Sequence, residues 1–131
     1  MERVLGVGGV FLHFRDREAT ARWYRDHLGI PLDEGWWGAS LPLRTEKDRG
    51  GACVVWGTFA DNAYFGGGTQ QVMVNFRVDD LDRMLAQLRD GGCDVDDKVE
   101  ASEFGKFGWV TDPEGNRIEL WQPPDQALGE S

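Results

Sequence analysis

Apolar and polar residues alternate along the start of the chain, and the alternation then gives way to a helical pattern. Between Gly9 and Arg15, every second residue is apolar (Val10, Leu12 and Phe14), which predicts a half-buried strand. Asp16 is suited to cap a helix over residues 17–27, and Gly29 supplies a left-handed stop after it. Trp23 belongs to the apolar stripe of this helix, so we expect it in the core.

The same order of features recurs in the second half of the chain. Residues 72–78 alternate again, Asp80 is placed to cap a helix, and Gly91-Gly92 ends it. The apolar stripe of this second helix consists of Leu81, Met84, Leu85 and Leu88. A repeat carried by hydrophobic period, cap and glycine stop indicates two copies of one supersecondary unit.

Shorter extended segments complete each copy. Residues 35–43 and 51–56 are predicted strands around the charged turn 44–50, and residues 104–111 and 116–122 are predicted strands around a type I turn at 112–115. We therefore predict one domain over 1–131. It contains a first module (1–58), a glycine-rich linker (59–70), a second module (71–124) and a tail (125–131).

Composition restricts the class of partner. The 131 residues suffice for one compact domain, and 14 Lys and Arg against 23 Asp and Glu give a net charge of −9. Such a surface repels phosphate backbones and anionic lipids, so neither nucleic acid nor a membrane is an expected partner, whereas a neutral or cationic small molecule is tolerated. Cys53 and Cys93 stand far apart and no secretory signal is evident, which favours a cytoplasmic location.

One phrase near the C-terminus carries a family resemblance. Residues 105–120 read Gly-Lys-Phe-Gly-Trp-Val-Thr-Asp-Pro-Glu-Gly-Asn-Arg-Ile-Glu-Leu, and the first helix contains Trp23-Tyr24 followed by Leu28-Gly29. With the two-module pattern, the chain resembles the vicinal oxygen chelate superfamily of glyoxalases, bleomycin resistance proteins and extradiol dioxygenases over nearly its whole length. The resemblance implies an α+β fold in which two βαβββ modules form a curved half-barrel sheet with the helices outside. It also implies a ligand cavity and a homodimer.

Strand parity, combined with that layout, predicts which side chains face the cavity. Every second residue of these strands faces the helices, and the residues between them face the cavity. We predict that the following cavity-facing residues bind the ligand: Phe11, His13, Met73, Asn75, Arg77, Trp109, Glu119 and Trp121. His13 is either a ligand contact or a half-exposed residue at a strand end. Arg77 and Glu119 form either a substrate-binding pair or a cross-strand ion pair.

Tryptophan is abundant, with six residues in the chain. Trp109 is a candidate for stacking on a flat or cationic ligand, as are the adjacent Trp36 and Trp37. Neighbouring residues of one strand point to opposite faces, so Trp36 and Trp37 cannot both face inward, and the sequence leaves their roles open.

The resemblance also implies four metal-ligand positions, which fall on Gly9, Val55 or Trp56, Met73 and Glu119. Only Glu119 offers a carboxylate, so we predict no metal and no other cofactor. The expected function is binding of a small organic ligand. The alternative is a metal-dependent lyase, isomerase or dioxygenase with a divergent site, and if the protein is an enzyme, a glyoxalase-like lyase or isomerase is expected with Glu119 as the candidate catalytic residue.

Overall fold

The computed structural model describes residues 1–42 and 53–125. Its first half contains one helix and three strands: β1 (Val4–His13), α1 (Arg17–Leu28), β2 (Ala39–Pro42) and β3 (Cys53–Phe59). A single 3₁₀ turn, Ala63–Phe65, lies between the halves. The second half comprises β4 (Val72–Val78), α2 (Leu81–Asp90), β5 (Asp94–Val95), β6 (Glu100–Ser102), β7 (Gly105–Thr111) and β8 (Arg117–Gln122).

The eight strands found in residues 1–42 and 53–125 belong to one mixed sheet, in the order β2-β3-β1-β4-β8-β7-β5, with β6 paired to β7. In each half the first strand lies parallel to the last one, β1 beside β3 and β4 beside β8. The halves join through the antiparallel pair of β1 and β4. The predicted α+β fold, a curled half-barrel sheet with two helices, is confirmed.

Both helices begin and end where the sequence predicts. The carboxylate of Asp16 accepts from the backbone N–H of Ala19, and that of Asp80 accepts from Arg83, so each satisfies a donor of the first turn. Gly29 adopts the left-handed conformation (φ 73°) and donates its N–H back to α1. Within the described part of the chain, no helix is long and apolar enough to cross a membrane.

The helices pack on the outer face of the sheet. Leu81, Met84 and Leu85 of α2 form a buried cluster with Val78 and Leu120. Ala21 of α1 packs with Ala39 and Trp56, and Leu12 and Phe14 lie against them as strand parity predicts. A third, aromatic cluster occupies the inner face, and it contains Phe11, Phe65, Met73 and Trp109.

Two expectations need correction. Trp23 was expected in the core, yet it is 51% exposed, and its ring lies on the helix surface beside His27, tilted by 38° with the ring centroids 5.1 Å apart. The first strand begins at Val4 rather than at Gly9. Its alternation is hidden in the sequence because β1 shifts register against β4 at Val4/Gly6 and at Val7/Gly9, and such irregularities break the two-residue period. The predicted turn 44–50 and residues 126–131 of the tail lie outside the described residues.

Candidate functional site

One row of residues crosses the sheet at the centre of its inner face. The strand register pairs Val55 with Gly9, Gly9 with Asn75, and Asn75 with Glu119. Ser40 and Trp109 extend the row at its two ends. Residues in such a row are about 5 Å from their neighbours, so their side chains meet.

This register corrects one of the four metal-ligand positions inferred from the sequence. The position assigned to Met73 is held by Asn75, whereas Met73 pairs with Phe11 and is fully buried. The cause is the connection between strand and helix. The connection from Gly9 to the first helix cap, Asp16, is two residues longer than the connection from Asn75 to the second cap, Asp80. Counting back from Asp80 by the first spacing therefore reaches Met73, two residues before Asn75.

The residues of the row do not fit a divalent metal. Gly9 has no side chain, and a Cβ added there would stand 2.8 Å from the carbonyl oxygen of Val55 and 3.3 Å from the ring of Phe11. Val55 has no donor atom, which leaves one amide and one carboxylate, fewer ligands than such ions take. No group of three or more His, Cys, Asp or Glu residues suited to a metal occurs within residues 1–42 and 53–125.

Three neutral donors surround the Glu119 carboxylate instead. Trp109 Nε1 donates to Oε2 at 3.0 Å and Asn75 Nδ2 donates to Oε1 at 2.7 Å. The hydroxyl of Tyr64 makes a short hydrogen bond to Oε2. Only 1% of Glu119 is exposed, so these contacts replace the water that an open carboxylate would bind.

Burial dominates the electrostatics of this cluster. It raises the pKa of Glu119 above its ordinary value, while the hydrogen bonds from Tyr64, Asn75 and Trp109 oppose that shift. Burial also raises the pKa of Tyr64, and the neighbouring Glu119 carboxylate raises it further. Tyr64 therefore stays a neutral donor at physiological pH.

The raised pKa predicts that ionising Glu119 costs folding free energy. The pKa of Glu119 is higher in the folded state than in the unfolded state. The stability that the neutral carboxyl contributes is therefore fully present below about pH 4.5 and is lost as the pH rises through the folded-state pKa. We expect the unfolding free energy of the wild type, relative to Glu119→Gln, to fall with rising pH by about 1.4 kcal/mol per unit of pKa displacement. Urea denaturation of both proteins between pH 4.5 and about pH 8 measures it, and a flat or rising difference would contradict the assignment.

An open cleft of about 580 Å³ lies above this cluster, within the curl of the sheet. Its floor is formed by Asn75 and Glu119, and one polar wall by Ser40 and Cys53. The remaining surface is mainly aromatic, and seven aromatic residues line the cleft: Phe11, Trp36, Phe59, Tyr64, Phe104, Phe107 and Trp121. Trp36 and Phe104 are the most exposed of these and mark the rim. An apolar cleft with a few polar groups is typical of a small-molecule site.

The structure brings together only part of the predicted ligand-binding set. Four of the eight predicted residues line the cleft, and they are Phe11, Asn75, Glu119 and Trp121. Met73 and Trp109 are buried on the same face. His13 lies at the end of β1, where its Nδ1 is 2.7 Å from Gln71 Oε1, outside the cleft lining.

The interpretation of Arg77 and Glu119 as a cross-strand ion pair is wrong. Arg77 Nη1 donates to the carbonyl oxygen of Val7 at 2.7 Å, and Glu119 is instead hydrogen-bonded by the neutral side chains of the cluster described above. The two side chains share a face, but Arg77 projects toward the start of β1, two residues along β4 from Asn75. Sharing a face of the sheet therefore did not bring the two charges into contact.

Trp36 and Trp37 have different environments. Trp36 lines the cleft, whereas Trp37 packs with the α1 cluster and carries the guanidinium of Arg22 over its ring at 4.8 Å. The turn that separates them is tight, because Trp37 adopts a positive φ of 59°. Only Trp36 lines the cleft, but strand parity is not the reason, because both residues lie in the turn between Asp33 and Gly38, before β2 begins at Ala39.

Sequence reasoning did not identify Tyr64, because it lies in the segment predicted as linker. The 3₁₀ turn presents it to Glu119, and Asp61 supports the turn by accepting from the N–H of Ala63. The available signal was three aromatic residues, Phe59, Tyr64 and Phe65, just before a run of glycines. Aromatic residues in a glycine-rich connection indicate packing rather than a free linker.

Gly8 has no side chain and so leaves room for Asn75, and substitution at Gly6 provides a testable contrast. A Cβ at Gly8 would stand 2.1 Å from Asn75 Oδ1 and 2.8 Å from the Trp121 ring, whereas at Gly6 it would meet only the flexible end of Arg77. We expect Gly8→Ala to lower the unfolding free energy by about 1–3 kcal/mol through overpacking, and Gly6→Ala to change it by less than about 1 kcal/mol. Denaturant unfolding compares the two, and equal effects would show that Asn75 is not held tightly.

Comparison with known families agrees with this architecture. A family model described as a glyoxalase-like domain matches residues 9–121. The chain belongs to the glyoxalase-like domain family. The matched range runs from the Gly9 position of β1 to Trp121 of β8, so it includes every strand that contributes to the row of residues described above. No curated protein matches the sequence.

The family match confirms the resemblance, and several solved structures have the same fold. A superfamily member from Vibrio splendidus 12B01 is 15% identical, with coverage of 93% of this chain and 99% of its own and a TM-score of 0.58. Methylmalonyl-CoA epimerase from Mycobacterium tuberculosis is 21% identical, with coverage of 92% and 89% and a TM-score of 0.60. The Mn(II)-bound glyoxalase from Novosphingobium aromaticivorans is 18% identical over 97% of this chain and 41% of its own, with a TM-score of 0.57. At these identities the likeness concerns the fold alone.

Proposed function

We propose that this glyoxalase-like domain binds a small organic ligand, neutral or cationic, in the aromatic cleft and does so without a divalent metal. The observation that carries the proposal is the environment of Glu119, because its carboxylate is 1% exposed and is hydrogen-bonded by Tyr64, Asn75 and Trp109. A carboxylate in such an environment is poorly placed to bind an ion or to abstract a proton from a substrate in the cleft.

The proposal includes a homodimer in the cytoplasm. Val4, Leu5 and Val7 at the start of β1 expose apolar side chains, and a second copy of the chain would cover part of this surface. Cys53 and Cys93 are both free, which is consistent with a reducing compartment. Light scattering at several protein concentrations tests the dimer, and a monomer throughout would remove this part of the proposal.

Metal content and ligand binding together test the proposed function. We expect mass spectrometric metal analysis of protein purified without chelator to find far less than one first-row metal per chain. In ¹H–¹⁵N spectra, we expect indole, quinoline and N-methylquinolinium to shift the indole N–H signals of Trp36 and Trp121 saturably. Trp23 is an internal control, because it lies on the surface of α1 and outside the cleft.

The outcomes separate this proposal from its alternative. A stoichiometric metal would overturn the metal-free proposal and support a metal-dependent lyase, isomerase or dioxygenase with a divergent site. Shifts that leave Trp36 and Trp121 unaffected with all three compounds would show that the cleft is not a binding site for flat organic molecules.

A further inference from the structure

The cleft combines many aromatic faces with a single, covered carboxylate. Its aromatic lining includes Trp36, Phe59, Tyr64, Phe107 and Trp121. Glu119 is the only lining residue with a formal charge among the residues that the structure describes, and its oxygens face Tyr64, Asn75 and Trp109. A ligand in the cleft therefore meets ring surfaces rather than a free carboxylate.

The polar groups that line the cleft are few, and Asn75 Oδ1, which has no hydrogen-bond partner, is buried. Ser40 and Cys53 lie on one wall, where the Ser40 hydroxyl opposes the rise that burial gives to the pKa of the Cys53 thiol. The hydroxyl of Tyr64 is bound to Glu119. A primary ammonium group that enters this cleft would lose its hydrogen bonds to water and would find few acceptors to replace them.

The aromatic faces of the cleft nevertheless attract positive charge. The faces of aromatic rings carry negative potential, and the chain has a net charge of −9. Burial is the main cause of the raised pKa of Glu119, and repulsion from the carboxylate of Glu100 adds a smaller contribution. A cation that needs no hydrogen bonds gains this attraction without the loss that a primary ammonium suffers.

We infer that the cleft selects a quaternary ammonium group over a primary ammonium group and over an uncharged group of the same shape. The inference rests on the proposed function, since it specifies the class of ligand that the cleft takes. A quaternary nitrogen carries four carbon substituents and spreads its charge over them, so its methyl groups contact aromatic faces without requiring an acceptor. The rim residues Trp36 and Phe104 are placed to complete the enclosure.

Two pairs of soluble probes test the inference on the full chain. Benzyltrimethylammonium and benzylammonium differ in the hydrogen-bond donors on nitrogen, while choline and 3,3-dimethylbutan-1-ol have the same shape and differ in charge. We expect at least tenfold tighter binding of the first member of each pair, measured by titration of the Trp36 and Trp121 indole signals. Trp36→Leu should weaken benzyltrimethylammonium binding several-fold, whereas Trp23→Leu, the same change at an exposed tryptophan outside the cleft, should not.

Each contrary result has its own meaning. If benzylammonium binds as tightly as benzyltrimethylammonium, the cleft offers acceptors and the inference fails. If 3,3-dimethylbutan-1-ol matches choline, the cleft is merely apolar and the inference fails, although the proposed binding function stands. If none of the four probes shifts Trp36 or Trp121 while indole or quinoline does, the preference for cations is wrong. If no compound shifts either indole signal, the proposed function is overturned as well.

Discussion

Replacing Glu119 with leucine is expected to lower the unfolding free energy by about 3–5 kcal/mol. Leucine fills a similar volume, but it leaves the hydroxyl of Tyr64, the indole N–H of Trp109 and the amide of Asn75 without their acceptor. Each buried donor that loses its partner costs about 1–3 kcal/mol, and the relief from burying an acidic group offsets part of the sum. Urea denaturation near pH 7, followed by circular dichroism, measures the change.

Glu119→Gln is the matched control for this experiment. Glutamine keeps the length of the side chain and an oxygen acceptor, and the amide of Asn75 can turn to present its oxygen to the new N–H₂ group. We expect a loss of less than about 2 kcal/mol. If leucine is tolerated as well as glutamine, the three hydrogen bonds do not hold the floor of the cleft together, and our explanation of the buried carboxylate is incorrect.

A second large effect is expected at Trp109, in contrast with Trp23. Trp109 is 1% exposed, whereas Trp23 is 51% exposed, so the same change to alanine removes very different amounts of buried surface. We expect Trp109→Ala to cost about 3–5 kcal/mol and Trp23→Ala about 1 kcal/mol or less. Thermal and urea unfolding of both variants provide the comparison.

A control distinguishes the packing of Trp109 from its hydrogen bond. Trp109→Phe keeps a ring in the inner cluster but removes the N–H that donates to Glu119, so its cost should lie between those of the two alanine variants. A large loss for Trp23→Ala would mean that the surface of α1 is covered by something in solution. A small loss for Trp109→Ala would contradict the burial that the structure assigns to this ring.

The helices and the faces of the strands could be predicted from the sequence because they depend on local signals. Asp16 and Asp80 cap helices through contacts three residues away, and alternation along β4 and β8 places Asn75 and Glu119 on one face. These features depend on no partner that is distant in the chain.

The register between strands could not be predicted in the same way. The pairing of Gly9 with Asn75 depends on irregularities in β1 and on the length of the connection that precedes α1, and neither has a periodic signature. For the same reason Tyr64 was missed, since its contact with Glu119 joins residues that are 55 positions apart. The prediction for Trp23 failed because a short amphipathic helix on a curved sheet buries a narrower stripe than the apolar pattern indicates.

The sheet order also has a consequence for how the protein is made. The two central strands each pair with strands remote in sequence, and β4 receives its partner β8 only when residues near the C-terminus have been synthesised. Until then a nascent chain carries β4 with one open edge, and such edges invite pairing with other chains. Chains truncated before Arg117 should therefore aggregate during expression, while completion of the last strand closes that edge.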